Sequence, residues 1–182
     1  NEIDVAVQPE ANRAKKLLIS DMDSTMVTVE CIDELADYAG IKPQIAEITE
    51  RAMQGELDFE EALRGRVARL KGLEITAIQQ CLDERVRIMP GAETLVRTMV
   101  QAGATTILVS GGFTKFAKPV AQAIGFESFH ANILGEGEGL LTGALDGPLL
   151  SSVRKYPFLP SSSSGSRVEF FPCLSLFCGA VS

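Results

Sequence analysis

The sequence has no long hydrophobic run and no excess of positive charge, and each absence argues against a class of protein. No apolar stretch approaches the roughly 18 residues of a membrane-spanning helix, and the N-terminal residues lack the pattern of a secretory signal peptide. The formal net charge of −7 argues against a nucleic-acid-binding surface. We therefore expect a cytoplasmic protein that binds neither membrane nor nucleic acid.

The chain is also poor in residues that bind zinc. It has one histidine and four cysteines, and the cysteines (Cys31, Cys81, Cys173 and Cys178) form no Cys-x-x-Cys pair. We expect free thiols, as in a reducing compartment, and a structural role for the lone His130.

Hydrophobic residues make up 46% of the 182 residues, enough for a core that carries one domain with a small insert. Strand-like and helix-like patterns alternate along the chain and predict an α/β fold. We expect strands at Arg13–Ser20 and Thr105–Val109 and a hairpin from Phe126–Leu134 and Gly139–Leu145. Helices are expected with the pattern Ile32 to Ala39, from Pro43, after the cap Asp58, and from Ile75, Ala92 and Phe113.

Two aspartates follow the first predicted strand. Asp21 and Asp23 lie two residues apart, so on an extended backbone both side chains point the same way. The carboxyl ends of strands are where open α/β sheets bind ligands, and two carboxylates there can share Mg²⁺ and a phosphate. The alternative is a turn in which Asp and Ser satisfy backbone donors.

An ordered set of motifs resembles a known family. The set comprises Asp21-Met22-Asp23-Ser24-Thr25 after a strand, then Glu30, then Met53, Phe59 and Arg66 in a helical block, and finally Val109-Ser110-Gly111-Gly112-Phe113 after a second strand. These motifs, between about Asp4 and Leu150, resemble the phosphoserine phosphatases of the haloacid dehalogenase-like superfamily.

The resemblance implies a three-layer, Rossmann-like α/β core with a parallel sheet. Residues 1–30 and 87–150 would form this core, and residues 31–86 would be inserted as a helical cap. We expect Met53 and Phe59 to pack in the hydrophobic core, because apolar residues at helical spacing usually do. The alternative, that they close over the substrate, is implied by the resemblance alone.

The resemblance also implies a reaction, the hydrolysis of O-phospho-L-serine to L-serine and phosphate in the last step of serine biosynthesis. Asp21 would be the nucleophile and form an aspartyl-phosphate. Asp23 would protonate the leaving serine oxygen and then accept a proton from water. Mg²⁺ would be held by the Asp21 carboxylate and the Asp23 backbone carbonyl.

Five further residues are candidates for substrate binding. Ser110 and Gly111 would bind phosphate oxygens, Glu30 the ammonium and Arg66 the carboxylate of a zwitterion. Lys155 stands where the family has a lysine that contacts the phosphate. Four of them have a structural alternative: an ordinary loop for Ser110 and Gly111, a helix N-terminal acid for Glu30 and a solvated helix face for Arg66.

Residues 151–182 depart from the family pattern. They carry +2 against −9 for residues 1–150, contain the low-complexity run Leu159–Ser166, and lack the aspartate loop that would complete the metal site. We expect a divergent tail, either disordered or read in a shifted frame, that leaves the sheet incomplete. Two other functions therefore stay open: an inactive relative that binds phosphoserine, and a phosphatase for another small phosphomonoester. The oligomeric state is not predicted.

Overall fold

The computed structural model describes Val7, residues 14–150 and the backbone of Leu176–Phe177. Apart from that short strand, the predictions for residues 151–182 lie outside the described residues. The described elements are β1 (Leu17–Ser20), α1 (Cys31–Tyr38), α2 (Lys42–Met53), α3 (Phe59–Arg69), α4 (Ile75–Arg85), α5 (Ala92–Gln101), β2 (Thr105–Phe113), α6 (Thr114–Ile124), β3 (Ser128–Gly137), β4 (Leu140–Asp146) and β5 (Leu176–Phe177).

The strands form one sheet in the order β4-β3-β2-β1-β5. Pairing is parallel between β1 and β2 and between β2 and β3, whereas β4 and β5 add to the sheet antiparallel. Helices α5 and α6 connect β1, β2 and β3 and pack on β2, and α6 also packs on β3. The predicted α/β class with a parallel sheet is confirmed.

The central strands are buried on both faces, as parallel strands are. Leu18 and Leu108 belong to the main hydrophobic core, together with residues of the helices, of β3 and β4, of the loop after β1 (Met22, Met26 and Val27) and Phe113 at the end of β2. A smaller cluster on the opposite face consists of Leu17, Ile19, Ile107 and Val109. Both faces of these strands are apolar, and the polar residues lie beyond the strands, at the carboxyl edge of the sheet.

Helices α1 to α4 occupy the segment between β1 and α5. The N-terminus of α3 is fixed by a capping box, in which the Asp58 carboxylate accepts from the Glu61 amide and the Glu61 carboxylate accepts from the Asp58 amide. Among the described residues, no helix is both long and apolar enough to cross a membrane. That residues 31–86 form a separate domain stays a prediction.

The segment before α1 and the segment after α4 run side by side. Val27 and Ile88 form an antiparallel bridge, and the Met89 amide donates to the Met26 carbonyl at 2.9 Å. This pairing joins the two points at which the chain leaves and re-enters the sheet region.

The hairpin of β3 and β4 contacts the connection between α3 and α4. The Gly72 amide donates to the Leu141 carbonyl, the Leu141 amide to the Leu73 carbonyl, both at 2.8 Å, and the Ile75 amide to the Gly139 carbonyl at 3.0 Å. We call these bonds the hairpin contact. They hold the C-terminal end of α3 against the sheet.

Two details differ from the prediction. Strand β2 continues through Ser110 and Gly112 to Phe113, and its register with β3 shifts between Val109 and Phe113, so the expected loop is an irregular end of the strand. The hairpin turn is shorter than the Gly-Glu-Gly-Glu-Gly run, because Glu138 and Gly139, with φ of 53° and 80°, suffice to reverse the chain.

Candidate active site

The candidate site lies at the carboxyl ends of β1 and β2. The parallel register pairs Ser20 with Leu108, so Asp21 and Asp23 lie level with the residues that follow Leu108 on the neighbouring strand. Two polar segments far apart in sequence therefore meet at one edge of the sheet, as the strand rule for open α/β folds predicts.

A cleft of about 200 Å³ opens at this edge. It is lined by Asp21, Asp23, Glu30, Ile32, Phe59, Leu63, Arg66, Gly111, Gly112 and Phe113. Five predicted site residues (Asp21, Asp23, Glu30, Arg66 and Gly111) share this lining. The volume is below the roughly 300–1,000 Å³ typical of pockets for drug-sized ligands, so the cleft suits a small molecule. Lys155 lies outside the described residues.

Ser110 connects the two strand ends through hydrogen bonds. Its side chain is fully buried, its hydroxyl donates to Asp23 Oδ2 at 3.2 Å, and its oxygen accepts from the Gly112 amide at 2.8 Å. The other Asp23 oxygen, Oδ1, accepts from the amide of Cys31, the first residue of α1, at 2.9 Å. Asp23 is thus oriented from both sides.

Asp21 is held close to the backbone that follows it. Its Oδ1 accepts from the Met22 amide at 2.9 Å, and its side chain is half-buried at the cleft. Met22 itself is completely buried, which anchors the turn between the two carboxylates.

Glu30 sits where the loop enters α1. Its Oε1 accepts a 2.6 Å hydrogen bond from the Ser24 hydroxyl, and its side chain makes no capping bond to α1. Partial burial is the main cause that raises the pKa of Glu30 above its ordinary 4.5; the Ser24 hydrogen bond lowers it, and the negative charges of Asp23, Asp33 and Asp21 raise it further. The helix-dipole alternative is weakened, because the carboxylate turns to Ser24 and the cleft.

Arg66 lines the cleft and carries a buried hydrogen-bond donor. Its Nε atom is buried and has no hydrogen-bond partner among the described residues, although the residue lines the cleft. A buried guanidinium donor left unpaired is costly, so this position suits an anion supplied by a ligand. The solvated-face alternative does not account for a buried Nε.

The expectation that Met53 and Phe59 pack in the core is wrong. Met53, the last residue of α2, is 86% exposed, and Phe59, the first residue of α3, is 41% exposed and lines the cleft. A Cβ atom on Gly111 would lie 3.2 Å from the Phe59 ring, so glycine is needed for this close approach. Helical spacing did not distinguish residues facing the core from residues facing the cleft.

Sequence reasoning missed Asn132. This residue of β3 is 2% exposed; its Nδ2 donates to the Gly111 carbonyl at 2.8 Å and its Oδ1 accepts from the Leu150 amide at 2.7 Å. Asn132 therefore fixes the peptide between Gly111 and Gly112, whose N–H reaches Ser110. The sequence did contain a signal for Asn132, because it is a polar amide within an apolar strand. A buried amide side chain needs hydrogen-bond partners.

The oxygen donors at the cleft fit a hard cation such as Mg²⁺. The Asp21 carboxylate and the Asp23 main-chain carbonyl are ligands of the kind this ion takes. Within the described residues, no group of three or more His, Cys, Asp or Glu side chains is placed to hold a metal. Mg²⁺ commonly needs only one or two protein carboxylates, with water and phosphate oxygens completing the octahedron, so the small donor set is compatible with it.

The chain belongs to the haloacid dehalogenase-like hydrolases, whose family model matches residues 15–146. Among curated proteins it is similar to a phosphoserine phosphatase of Polaromonas sp., with 45% identity over 131 residues that cover 71% of this chain and 56% of the relative. The chain spans about half the length of the curated relatives it matches.

Two solved structures of phosphoserine phosphatases share the fold. A substrate-bound complex matches with 37% identity and a TM-score of 0.67, covering 73% of this chain and 63% of that one. A phospho-aspartyl intermediate analogue matches with 38% identity and a TM-score of 0.66 over the same shares of the two chains.

Proposed function

We propose that this protein is a phosphoserine phosphatase, which hydrolyses O-phospho-L-serine to L-serine and phosphate as the last step of serine biosynthesis. One observation carries the proposal: Arg66, whose buried Nε has no hydrogen-bond partner among the described residues, and Glu30 line the same small cleft as Asp21. A zwitterion whose third group is a phosphate presents the charges that such a lining needs.

The proposed reaction begins when Asp21 attacks phosphorus and the bond to the serine oxygen breaks, giving an aspartyl-phosphate. Asp23 gives its proton to the leaving serine oxygen and later takes one from the water that hydrolyses the intermediate. The hydrogen bonds from Ser110 and the Cys31 amide support this role, because they orient the Asp23 carboxylate.

Substrate binding divides among the other residues of the cleft. Arg66 binds the carboxylate and Glu30 the ammonium, while the backbone at Gly111 binds phosphate oxygens. Ser110 is fully buried and does not line the cleft, so to bind a phosphate oxygen as well its hydroxyl would have to turn away from Asp23. Lys155 is proposed to contact the phosphate as well. Mg²⁺, held by the Asp21 carboxylate and the Asp23 carbonyl, would supply positive charge that offsets the phosphate's negative charge.

A reducing compartment such as the cytoplasm suits the two buried cysteines. Cys31 and Cys81 are free, and burial raises the pKa of both thiols, that of Cys81 to about 11. Free, protonated thiols are the state that a reducing compartment maintains, whereas disulfides form in oxidising compartments.

The test is phosphate release from O-phospho-L-serine in the presence of Mg²⁺. We expect turnover that Asp21→Asn abolishes, together with a phosphorylated peptide containing Asp21 that mass spectrometry detects after acid quenching. Asp83→Asn is the matched control, because Asp83 is exposed on α4 and does not line the cleft. Hydrolysis that survives Asp21→Asn would refute the assigned nucleophile.

A second candidate is a relative that binds phosphoserine without hydrolysing it. The observation in its favour is that residues 151–182 contain no aspartate and only one acid, Glu169. Calorimetric binding of O-phospho-L-serine without phosphate release would favour this candidate. A panel of other phosphomonoesters tests the remaining alternative, a phosphatase for a different substrate.

A further inference from the structure

Ser24 makes two hydrogen bonds that close the loop between β1 and α1. Its amide donates to the Val29 carbonyl at 3.2 Å, and its hydroxyl donates to Glu30 Oε1 at 2.6 Å. Consecutive residues at the end of the loop are therefore held by one residue at its start. Inside the loop, the amides of Thr25, Met26 and Val27 all point to the Met22 carbonyl, which makes the turn compact.

The backbone of Ser24 is in the left-handed region, with φ of 52°. Side chains other than glycine are strained there, and such strained positions cluster at functional sites. Glycine would relieve the strain but would lose the hydroxyl. The presence of serine at this φ is explained if its hydroxyl performs a task that the backbone alone cannot.

Glu30 is left available for that task. Glu30 is the N-cap residue of α1, yet its side chain makes no capping bond, and the Cys31 amide is satisfied by Asp23 instead. The Ser24 bond engages Oε1, and because Glu30 lines the cleft, its other oxygen is available to a ligand there. Burial and the negative charges of Asp23, Asp33 and Asp21 raise the pKa of Glu30, whereas the Ser24 hydrogen bond lowers it.

We infer that Ser24 is a positioning residue that orients Glu30 to bind the substrate's ammonium, and that this pair selects phosphorylated amino acids over phosphorylated hydroxy acids. The inference rests on the proposed function and extends it from the reaction to its selectivity. Ser24 itself does not touch the substrate; it acts through Glu30.

The test compares two substrates that differ only at the ammonium. O-phospho-L-serine and 3-phospho-L-glycerate share the phosphate, the carboxylate and the configuration, but the second has a hydroxyl in place of the ammonium. We expect Ser24→Ala to raise KM for O-phospho-L-serine about tenfold, the order of one hydrogen bond to a charged group, with little change in kcat. KM for the glycerate compound should change much less.

Two further variants separate orientation from folding. Ser24→Gly should raise KM as much as Ser24→Ala does, yet unfold at a higher temperature because glycine relieves the strain at φ 52°. In a Glu30→Gln background, Ser24→Ala should change KM by less than about twofold, because coupled residues are not additive. An additive loss would show that Ser24 does not act through Glu30.

The outcomes distinguish this inference from the proposed function. If the unaltered protein hydrolyses O-phospho-L-serine and prefers it to the glycerate compound, but Ser24→Ala retains the same preference, the role of Ser24 is refuted and the function stands. If the unaltered protein neither binds nor hydrolyses O-phospho-L-serine, both are refuted.

Discussion

The Ser110 hydroxyl donates a hydrogen bond to the Asp23 carboxylate at 3.2 Å, across 87 positions of sequence. This bond joins the end of β2 to the loop after β1 and fixes the geometry of the edge where the cleft opens. The Gly112 amide completes the arrangement from the other side of the Ser110 oxygen.

Gly112→Ala should impair activity more than folding. An added Cβ would lie 3.0 Å from Ser110 Oγ and 3.2 Å from Asp23 Oδ2, so both side chains would have to shift by a few tenths of an ångström. A small displacement of catalytic groups lowers the reaction rate strongly, so we expect kcat/KM to fall about 100-fold. Phosphate release measures this change.

Gly65→Ala is the matched control. Its Cβ would meet only Ile48 at 3.6 Å, an ordinary contact, and it lies inside α3. Alanine is the better helix former by about 0.5–1 kcal/mol, so this variant should unfold at a slightly higher temperature and keep its activity. Equal activity loss in the two variants would contradict the specific role of Gly112.

Asn132→Leu should lose both stability and activity. The change leaves the Gly111 carbonyl and the Leu150 amide without their buried partner, which costs about 1–3 kcal/mol in the free energy of unfolding. It also frees the peptide that orients Ser110, so kcat/KM should fall. Urea denaturation and phosphate release measure the two effects.

Thr106→Val controls for the stability loss alone. Thr106 is also fully buried on β2, and its Oγ1 accepts from the Glu127 amide at 3.2 Å, away from the cleft. We expect kcat/KM nearly unchanged and a smaller loss of stability than for Asn132→Leu, because the Glu127 amide also donates to the Thr106 main-chain carbonyl at 3.2 Å. If Asn132→Leu behaves like this control, Asn132 is merely structural.

Arg66→Gln should weaken substrate binding. Arg66 is the cationic side chain among the described residues that line the cleft, so we expect KM for O-phospho-L-serine to rise about 10- to 100-fold, as for loss of a charged hydrogen bond. Arg64→Gln on the same helix is the control, since Arg64 pairs with Glu60 on an exposed surface and should matter little. Similar KM values for the two variants would contradict the assigned role.

The affinity for O-phospho-L-serine should fall as the pH falls. This loss should begin at a pH above 4.5, the ordinary pKa of a glutamate. The raised pKa means that Glu30 takes up a proton at a higher pH than usual, and the neutral acid cannot pair with an ammonium. The same shift means that the folded protein gains stability from Glu30 as the pH falls through its pKa. KM measured from neutral pH downward should show the effect, and Glu30→Gln should remove that part of it.

Local signals in the sequence were sufficient for much of the fold. Helix α5 has the predicted bounds Ala92–Gln101, and Asp58 caps α3 as its position before an apolar pattern indicated. The meeting of Asp21 with the Ser110 segment was also predictable, because the carboxyl ends of neighbouring parallel strands share one edge.

Contacts between distant segments could not be predicted in the same way. Asn132 is a single polar residue whose partners, Gly111 and Leu150, lie 21 and 18 positions away. The exposure of Phe59 depends on which neighbour its helix faces, and periodicity does not carry that information. The Ser24 contact with Glu30 is closer in sequence, but it depends on a left-handed backbone that composition does not reveal.

The hairpin contact has a mechanical consequence. The connection after α3 is bonded to β4, and β4 pairs with the strand that carries Asn132. Arg66, near the end of α3, and the Gly111 peptide are therefore both connected to the β3–β4 hairpin. The separation between Arg66 and the Gly111 peptide is set by the β3–β4 hairpin, so a displacement of that hairpin would change the width of the cleft.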